Sequence, residues 1–468
     1  MRIVVVNWRD SGHRFAGGAE QYATRIASSL ARTGAHVTFL TARDTGQGAS
    51  DSVGPVAVVR RGGRWTVYAW ALLWLFRHRR AIDVVVDCQN GIPFFSPLAV
   101  GRARVVQVVH HVHHDQFRVH FPAWLAAVGR WLEGPVARRV YRNAVTVAVS
   151  PSTVDAMRSR LGWRGPVHVV PNGADPAPAH LPPRASEPTL VCLGRLVAQK
   201  RVDRLVDAVD VLRHRLPGVR LHVVGGGPEE AALRERAARC GGAVVVHGHV
   251  PEAVKSDLLA RSWLNVTLSD GEGWGLAVVE AAAHGVPTAC RDVDGLRDSV
   301  RDGETGWLMP RGAEVAEVAD ALFRALTELA DPATGAQVAA RCRDWAARFD
   351  WDDSGARFAS LIGGATAGGW LPGMPEASVA EFTPRDVPRR PGMRVGPGWV
   401  LVEQCRPGDL LVALRAAGAE DVTVRAASAT ERLLGRVGDK PFGGELLGGE
   451  PFGAVPSSGE DHRSQPRS

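Results

Sequence analysis

Short, continuous apolar runs punctuate this chain from its first residues. Ile3–Asn7, Ala35–Ala42, Val105–Val109, Val145–Ser150, Val167–Val170, Leu190–Leu193, Leu221–Val224, Val244–Val246 and Trp263–Leu268 are rich in Val, Ile and Leu. Strands buried on both faces of a parallel sheet read this way, whereas a sheet with one wet face alternates apolar and polar residues. Helical signals fill the gaps. Ala19–Arg32 stops at Gly34, and Leu276–His284 stops at Gly285 with Pro287 beyond. Ala313–Leu329 and Val338–Phe349 are amphipathic, and Phe349-Asp350-Trp351 opens a final helix to Ile362. This alternation predicts an α/β protein with doubly wound parallel sheets. At 468 residues the chain is too long for one ordinary core and predicts two domains with additions.

The richest stretch is Asp270-Gly271-Glu272-Gly273-Trp274-Gly275-Leu276, which joins a predicted strand to a predicted helix. A glycine-rich turn opening a helix offers bare N–H groups and the positive end of the helix dipole to one point, which favours an anion. Glu272 and Glu280 bracket that point. A phosphate-bearing ligand with hydroxyls on either side suits the layout, as a nucleotide sugar does. The ordinary alternative is a plain strand-to-helix connection with a solvated glutamate.

Charge divides the chain. Residues 1–150 carry 19 Arg and Lys against 8 Asp and Glu, and residues 186–365 carry 21 against 26. A basic first half predicts contact with something anionic. No helix-turn-helix, zinc-finger or aromatic RNA-binding pattern argues for nucleic acid. Trp65–Arg80 and Pro122–Arg142 combine tryptophan with arginine, which suits a lipid headgroup region; the alternative is two helices that pack their tryptophans inward. The longest apolar run, Tyr68–Phe76, is too short to span a bilayer. The six cysteines lie far apart, and the N-terminal strand leaves no room for a signal peptide's apolar region, so a reducing cytoplasm is expected, with the inner membrane face as the site of any lipid contact.

The residues of the turn carry a resemblance. Glu272-x7-Glu280 with its internal Gly-x-Gly, continued by Glu280-Ala-Ala-Ala-His-Gly-Val-Pro287, resembles the donor-site signature of the family 4 retaining glycosyltransferases. Gly194-Arg195-x4-Lys200 matches that family's diphosphate clamp in place and order, and Gly17-Gly18-Ala19-Glu20 matches its first-domain loop. The resemblance covers about residues 1–365. It implies a GT-B fold, two Rossmann-like domains facing across a cleft. The first would span 1–175 and the nucleotide-sugar domain 186–345, with a helix at 346–365 crossing back. It further implies catalytic roles for His110, Arg195, Lys200 and Glu272, with His111 as the alternative histidine. Gly17, Gly18, Gly273, Trp274, Gly275, Leu276 and Glu280 would bind the donor, a UDP- or GDP-sugar, and the acceptor would be a sugar, a lipid-linked or another anionic molecule. No metal or other cofactor is implied. His110-His111-Val112-His113-His114 invites a metal reading, but neighbours on an extended strand end point to opposite faces and no thiolate or carboxylate pair completes a shell.

One departure stands out. The family's usual Gly-Gly-x-x-Glu reads Asp294-Gly295-Leu296-Arg297-Asp298, and the shorter aspartate weakens any donor role for Asp298. A sugar-phosphate synthase or phosphorylase-like relative and a non-catalytic nucleotide-sugar-binding subunit are the competing functions. A dehydrogenase is disfavoured because the first turn lacks Gly-x-Gly-x-x-Gly. Beyond the resemblance, Gly363–Gly398 reads as linker, Trp399–Gln404, Gly408–Ala417 and Asp421–Ala426 as a small βαβ element, and Pro441–Ser468 as disordered.

Overall fold

The computed structural model describes residues 1–114, 116–117 and 121–363, and the backbone of four later strands. The chain divides into two compact units, Met1–Gly364 and Ala365–Ser468.

In the first unit, eight strands form one sheet in the order β3-β4-β2-β1-β5-β6-β7-β8. They are β1 (Arg2–Val6), β2 (His36–Thr41), β3 (Ser50–Val53), β4 (Val56–Arg60), β5 (Val84–Asn90), β6 (Arg104–His111), β7 (Val145–Ala148) and β8 (His168–Val169). Only the β3–β4 pair is antiparallel. β3, β4 and β5 have no counterpart among the sequence-predicted strands. The second sheet is wholly parallel: β9 (Thr189–Leu193), β10 (Arg220–Val224), β11 (Val244–Gly248), β12 (Leu264–Thr267), β13 (Thr288–Arg291) and β14 (Gly306–Met309), in the order β11-β10-β9-β12-β13-β14. As expected of strands covered on both faces, β9 and β12 are buried at every residue.

The strand order of each sheet reverses once, between β1 and β5 and between β9 and β12. The connections leave such a pair in opposite directions, so a crevice opens beyond the carboxyl ends of the two strands. The second crevice decides where the site lies.

The last helix, Trp351–Ile362, returns to the first sheet's layer. Asp350 caps it, accepting from the Asp352 amide at 2.7 Å. The Ala174 amide donates to the Phe349 carbonyl at 2.8 Å, and Ser354 Oγ to the Pro171 carbonyl at 2.8 Å. Gly355 lies so close to helix Gly18–Arg32 that an added β-carbon would stand 2.0 Å from Ser29 Oγ.

The second unit corrects two sequence expectations. Ala377–Glu381 and Met393–Gly396 are strands inside the stretch read as linker. With Trp399–Glu403 and Thr423–Ala426 they make a sheet whose paired strands are all antiparallel, not a βαβ element. Alternation is weak in these short segments, and pairing direction is set by the connections rather than by residue type. Gly408–Ala417 and Pro441–Ser468 lie outside the described residues.

Candidate active site

Two loops meet at the second crevice. One follows β9 and carries Arg195 and Lys200; the other follows β12 and carries residues 269–275. They are tied together: Gln199 Nε2 donates to the Gly271 carbonyl at 2.8 Å, and the Asp270 amide donates to the Gln199 carbonyl at 3.0 Å. From the other side the Glu272 amide donates to the Asp294 carbonyl at 3.0 Å. Gly275 caps helix Leu276–Ala283 with φ +99°, a left-handed conformation that glycine adopts without strain. The turn is therefore a braced rim over a helix N-terminus, not a free loop.

Glu272 pairs with Lys200 Nζ. Burial alone would push its carboxyl up in pKa; the Lys200 ammonium and the Ser269 hydroxyl outweigh that and leave it below the ordinary value. One helix turn on, Glu280 accepts from Lys255 Nζ at 3.1 Å, and Lys255 also reaches Glu252 at 2.8 Å. Here burial wins over Lys255, and the Glu280 pKa is raised. His284, at the helix end, is held between the Glu280 carbonyl and Ser256 Oγ, both at 2.9 Å.

The first lobe closes over this rim. His110, at the end of β6, is buried and edge-on to Tyr22, with ring centroids 5.2 Å apart. Its Nε2 has no hydrogen-bond partner among the described residues, and burial lowers its pKa to about 4, so the ring is neutral near pH 7. His111 turns instead to the Glu272 carbonyl, Nδ1 to oxygen 3.2 Å. The His113 amide donates to Glu133 Oε1 at 2.6 Å, which draws the cluster apart. Among the described residues no three His, Cys, Asp or Glu side chains are placed to share a metal ion. Gly17 and Gly18 open the first helix. A β-carbon at Gly17 would stand 3.2 Å from Arg195 Nε, and one at Gly18 3.7 Å from Leu276 Cβ. Arg195 has no ion-pair partner among the described residues. Arg9 Nε meets Glu20 Oε1 at 3.0 Å, and Glu20 Oε2 takes the Gly17 amide at 2.7 Å, fixing the loop that faces Arg195.

The surroundings of Trp274 and Asp298 are set by residues distant in sequence. The Trp274 side chain is buried edge-on to Phe349, 4.9 Å between centroids, so only its backbone is left for a donor. Asp298 accepts from the Ser152 amide at 2.8 Å, and Asp294 pairs with Arg160 at 2.8 Å; both bonds join the second lobe to helix Pro151–Leu161 of the first. The shorter aspartate is a latch between lobes.

The family described as Glycosyltransferase Family 4 matches residues 16–178, and that described as Glycosyl transferases group 1 matches residues 187–328. A GDP-mannose-dependent alpha-(1-6)-phosphatidylinositol monomannoside mannosyltransferase of Mycobacterium tuberculosis is 32% identical over 265 residues, covering 51% of this chain and 67% of the relative. A D-inositol 3-phosphate glycosyltransferase of Xylanimonas cellulosilytica is 32% identical over 410 residues, 75% of this chain and 92% of its own length. The chain belongs to the family 4 glycosyltransferases. Among solved structures, the sucrose-phosphate synthase of Thermosynechococcus elongatus superimposes with a TM-score of 0.65 at 20% identity, over 79% of this chain and all of that one. An Anabaena protein, Alr3699/HepE, solved with UDP and glucose, gives 0.59 at 19% identity, over 78% and 99%. These likenesses show the GT-B fold.

In this glycosyltransferase the sequence motifs left three residues out: Lys255, Gln199 and Arg9. Each acts through a partner distant in sequence (Glu280, Gly271 and Glu20), so no local spacing marks them. The polarity of an otherwise helical Glu252–Arg261 was the only available sign of Lys255.

Proposed function

We propose that this enzyme transfers a sugar from a nucleoside diphosphate donor to a lipid-linked acceptor at an anionic membrane face, retaining anomeric configuration and needing no metal. The convergence of Arg195, Lys200 and the helix N-terminus at Gly275–Leu276 on one crevice carries the reading. Departure of the diphosphate concentrates negative charge there, and fixed cations with oriented amides stabilise that charge. The neutral, unpartnered His110 Nε2 is free to bond a sugar hydroxyl. Glu272, kept ionised by Lys200, accepts from another. Glu280 is the acceptor for the ribose hydroxyls. GDP-mannose is the first donor to test, because the mycobacterial relatives are named for it.

The membrane part rests on exposure. Trp65, Leu73, Phe76, Trp124 and Trp131 are each more than half exposed, and Trp65 touches Phe121 at 6.4 Å between rings, linking the two tryptophan-bearing stretches. Scattered apolar residues are ordinary on a surface; clustered tryptophans among arginines suit the headgroup region. No described helix is long and apolar enough to cross a membrane.

A panel of UDP- and GDP-sugars, incubated with an inositol phospholipid acceptor in chelator, tests the proposal by release of nucleoside diphosphate, with the product anomer read by NMR. Absence of release from every donor would sink the activity. An inverted product, or activity that returns only with added divalent cation, would sink the corresponding clause.

A further inference from the structure

A cavity of about 440 Å³ opens on the first lobe between Arg138–Arg142, the start of β7 and loop 162–166. Arg138, Arg142 and Arg164 line it, and no carboxylate does. Its floor is built rather than incidental. Thr146 and Trp163 are 2% and 6% exposed, and neither the Thr146 hydroxyl nor the Trp163 indole N–H has a hydrogen-bond partner among the described residues. The indole nitrogen faces loop 162–166: a β-carbon on Gly165 would lie 3.5 Å from it. The Tyr141 hydroxyl is already committed to Asp87. Arg138 is anchored, its Nη1 donating to the Gly162 carbonyl at 2.9 Å at the end of helix Pro151–Leu161. Arg142 and Arg164 have no ion-pair partner among the described residues.

This cavity is not the donor site. It sits at the amino ends of β7 and β8, whereas the crevice residues follow the carboxyl ends of the strands. At about 3.3 Å per extended residue, the four steps from Thr146 to Ser150 at the other end of β7 span roughly 13 Å. Arg142 and Arg164, without ion-pair partners among the described residues, stand beside two unpartnered donors on largely buried residues and select an acceptor-rich anion, and arginine's planar fork matches phosphate oxygens. The volume suits a phosphoryl group with a small polyol. We propose a second anion site here that takes a phosphate group carried as a mono- or diester, whether on a soluble metabolite or on a lipid headgroup.

Calorimetric titration with glycerol 3-phosphate, in excess GDP and UDP to fill the donor crevice, tests the soluble source. Sedimentation with phosphatidylglycerol-containing vesicles tests the headgroup source. R142Q/R164Q should bind at least tenfold more weakly than wild type to one of these probes, and the probe affected names the source. Its nucleotide-sugar turnover should stay within twofold, which shows that the lobe is folded. R2Q/R61Q, which removes equal charge from exposed positions of the same lobe outside both tryptophan-bearing stretches, should leave glycerol 3-phosphate binding unchanged and vesicle binding less than threefold weaker. The proposal fails if wild type binds neither probe, if R142Q/R164Q binds both as wild type does, or if R2Q/R61Q loses as much.

Discussion

A β-carbon on Gly273 would stand 2.1 Å from the carbonyl oxygen of His110. Two backbones from different lobes therefore meet at the centre of the site, and the contact needs glycine for space. No rotamer change relieves such a clash, because both sides are main chain. Gly273→Ala should push the rim of the second lobe off His110 while each sheet stays intact. A displacement of about 1 Å at reacting groups can cost about 100-fold in rate. The expected result is a loss of that order in kcat/KM with an unchanged circular dichroism spectrum. Retention of more than a tenth of wild-type activity would show that the contact is dispensable.

Lys200→Ala should remove a fixed cation from the crevice and leave Glu272 buried without its counter-charge. Loss of one such stabilising group costs about 2–4 kcal/mol of transition-state binding, and Arg195→Ala should behave alike. Arg195 has no ion-pair partner among the described residues, so Arg195→Ala should unfold at nearly the wild-type temperature, whereas Lys200→Ala should unfold lower because Glu272 loses its counter-charge. Turnover of either variant within threefold of wild type would sink their assignment as the diphosphate clamp.

His110 makes a pH prediction with a definite sign. Its folded pKa, lowered to about 4 by burial, lies below the ordinary 6.5, so between those values the unfolded chain binds a proton that the native one does not. Stability is thus fully present above pH 6.5 and falls as the pH drops toward 4, by roughly 3 kcal/mol at most from this group. His110→Gln should flatten the fall in melting temperature over that window. A variant that tracks wild type throughout would show that His110 ionises normally. The activity of wild type should show no acid limb near pH 6.5 from this ring.

Trp124→Ser/Trp131→Ser removes two of the most exposed tryptophans from the first lobe without touching the crevice. Binding to anionic vesicles should weaken several-fold in the variant, and in wild type it should weaken as salt shortens the Debye length toward roughly 3 Å at 1 M. Activity on a soluble acceptor analogue should be unchanged. Equal binding of wild type to neutral and anionic vesicles at low salt would end the membrane reading.

What the sequence determined by itself was local. The apolar runs placed most strands of both sheets, because a strand buried on two faces leaves a contiguous signal. The glycine-rich turn at 271–275 and the Arg195–Lys200 spacing marked the crevice, since the atoms that make a helix N-terminal anion site come from neighbouring residues. β3, β4, β5, β13 and β14 escaped; the edge strand β3, Ser-Asp-Ser-Val and largely exposed, carries no apolar run, whereas β4 and β5 do carry short valine-rich ones, Val-Ala-Val-Val and Val-Val-Val. Only the tertiary structure decided which polar groups answer one another. Lys255 meets Glu280, Asp298 meets the Ser152 amide across 146 residues, and Trp274 turns inward to Phe349 instead of toward a ligand. It likewise decided that Trp65, Trp124 and Trp131 face outward, for the helices there bury other residues, Val67, Ala71 and Leu75 in one and Ala126 and Gly129 in the other. Such pairings depend on how two lobes meet. That meeting is set by the summed shape of many side chains, and no short window of residues encodes it.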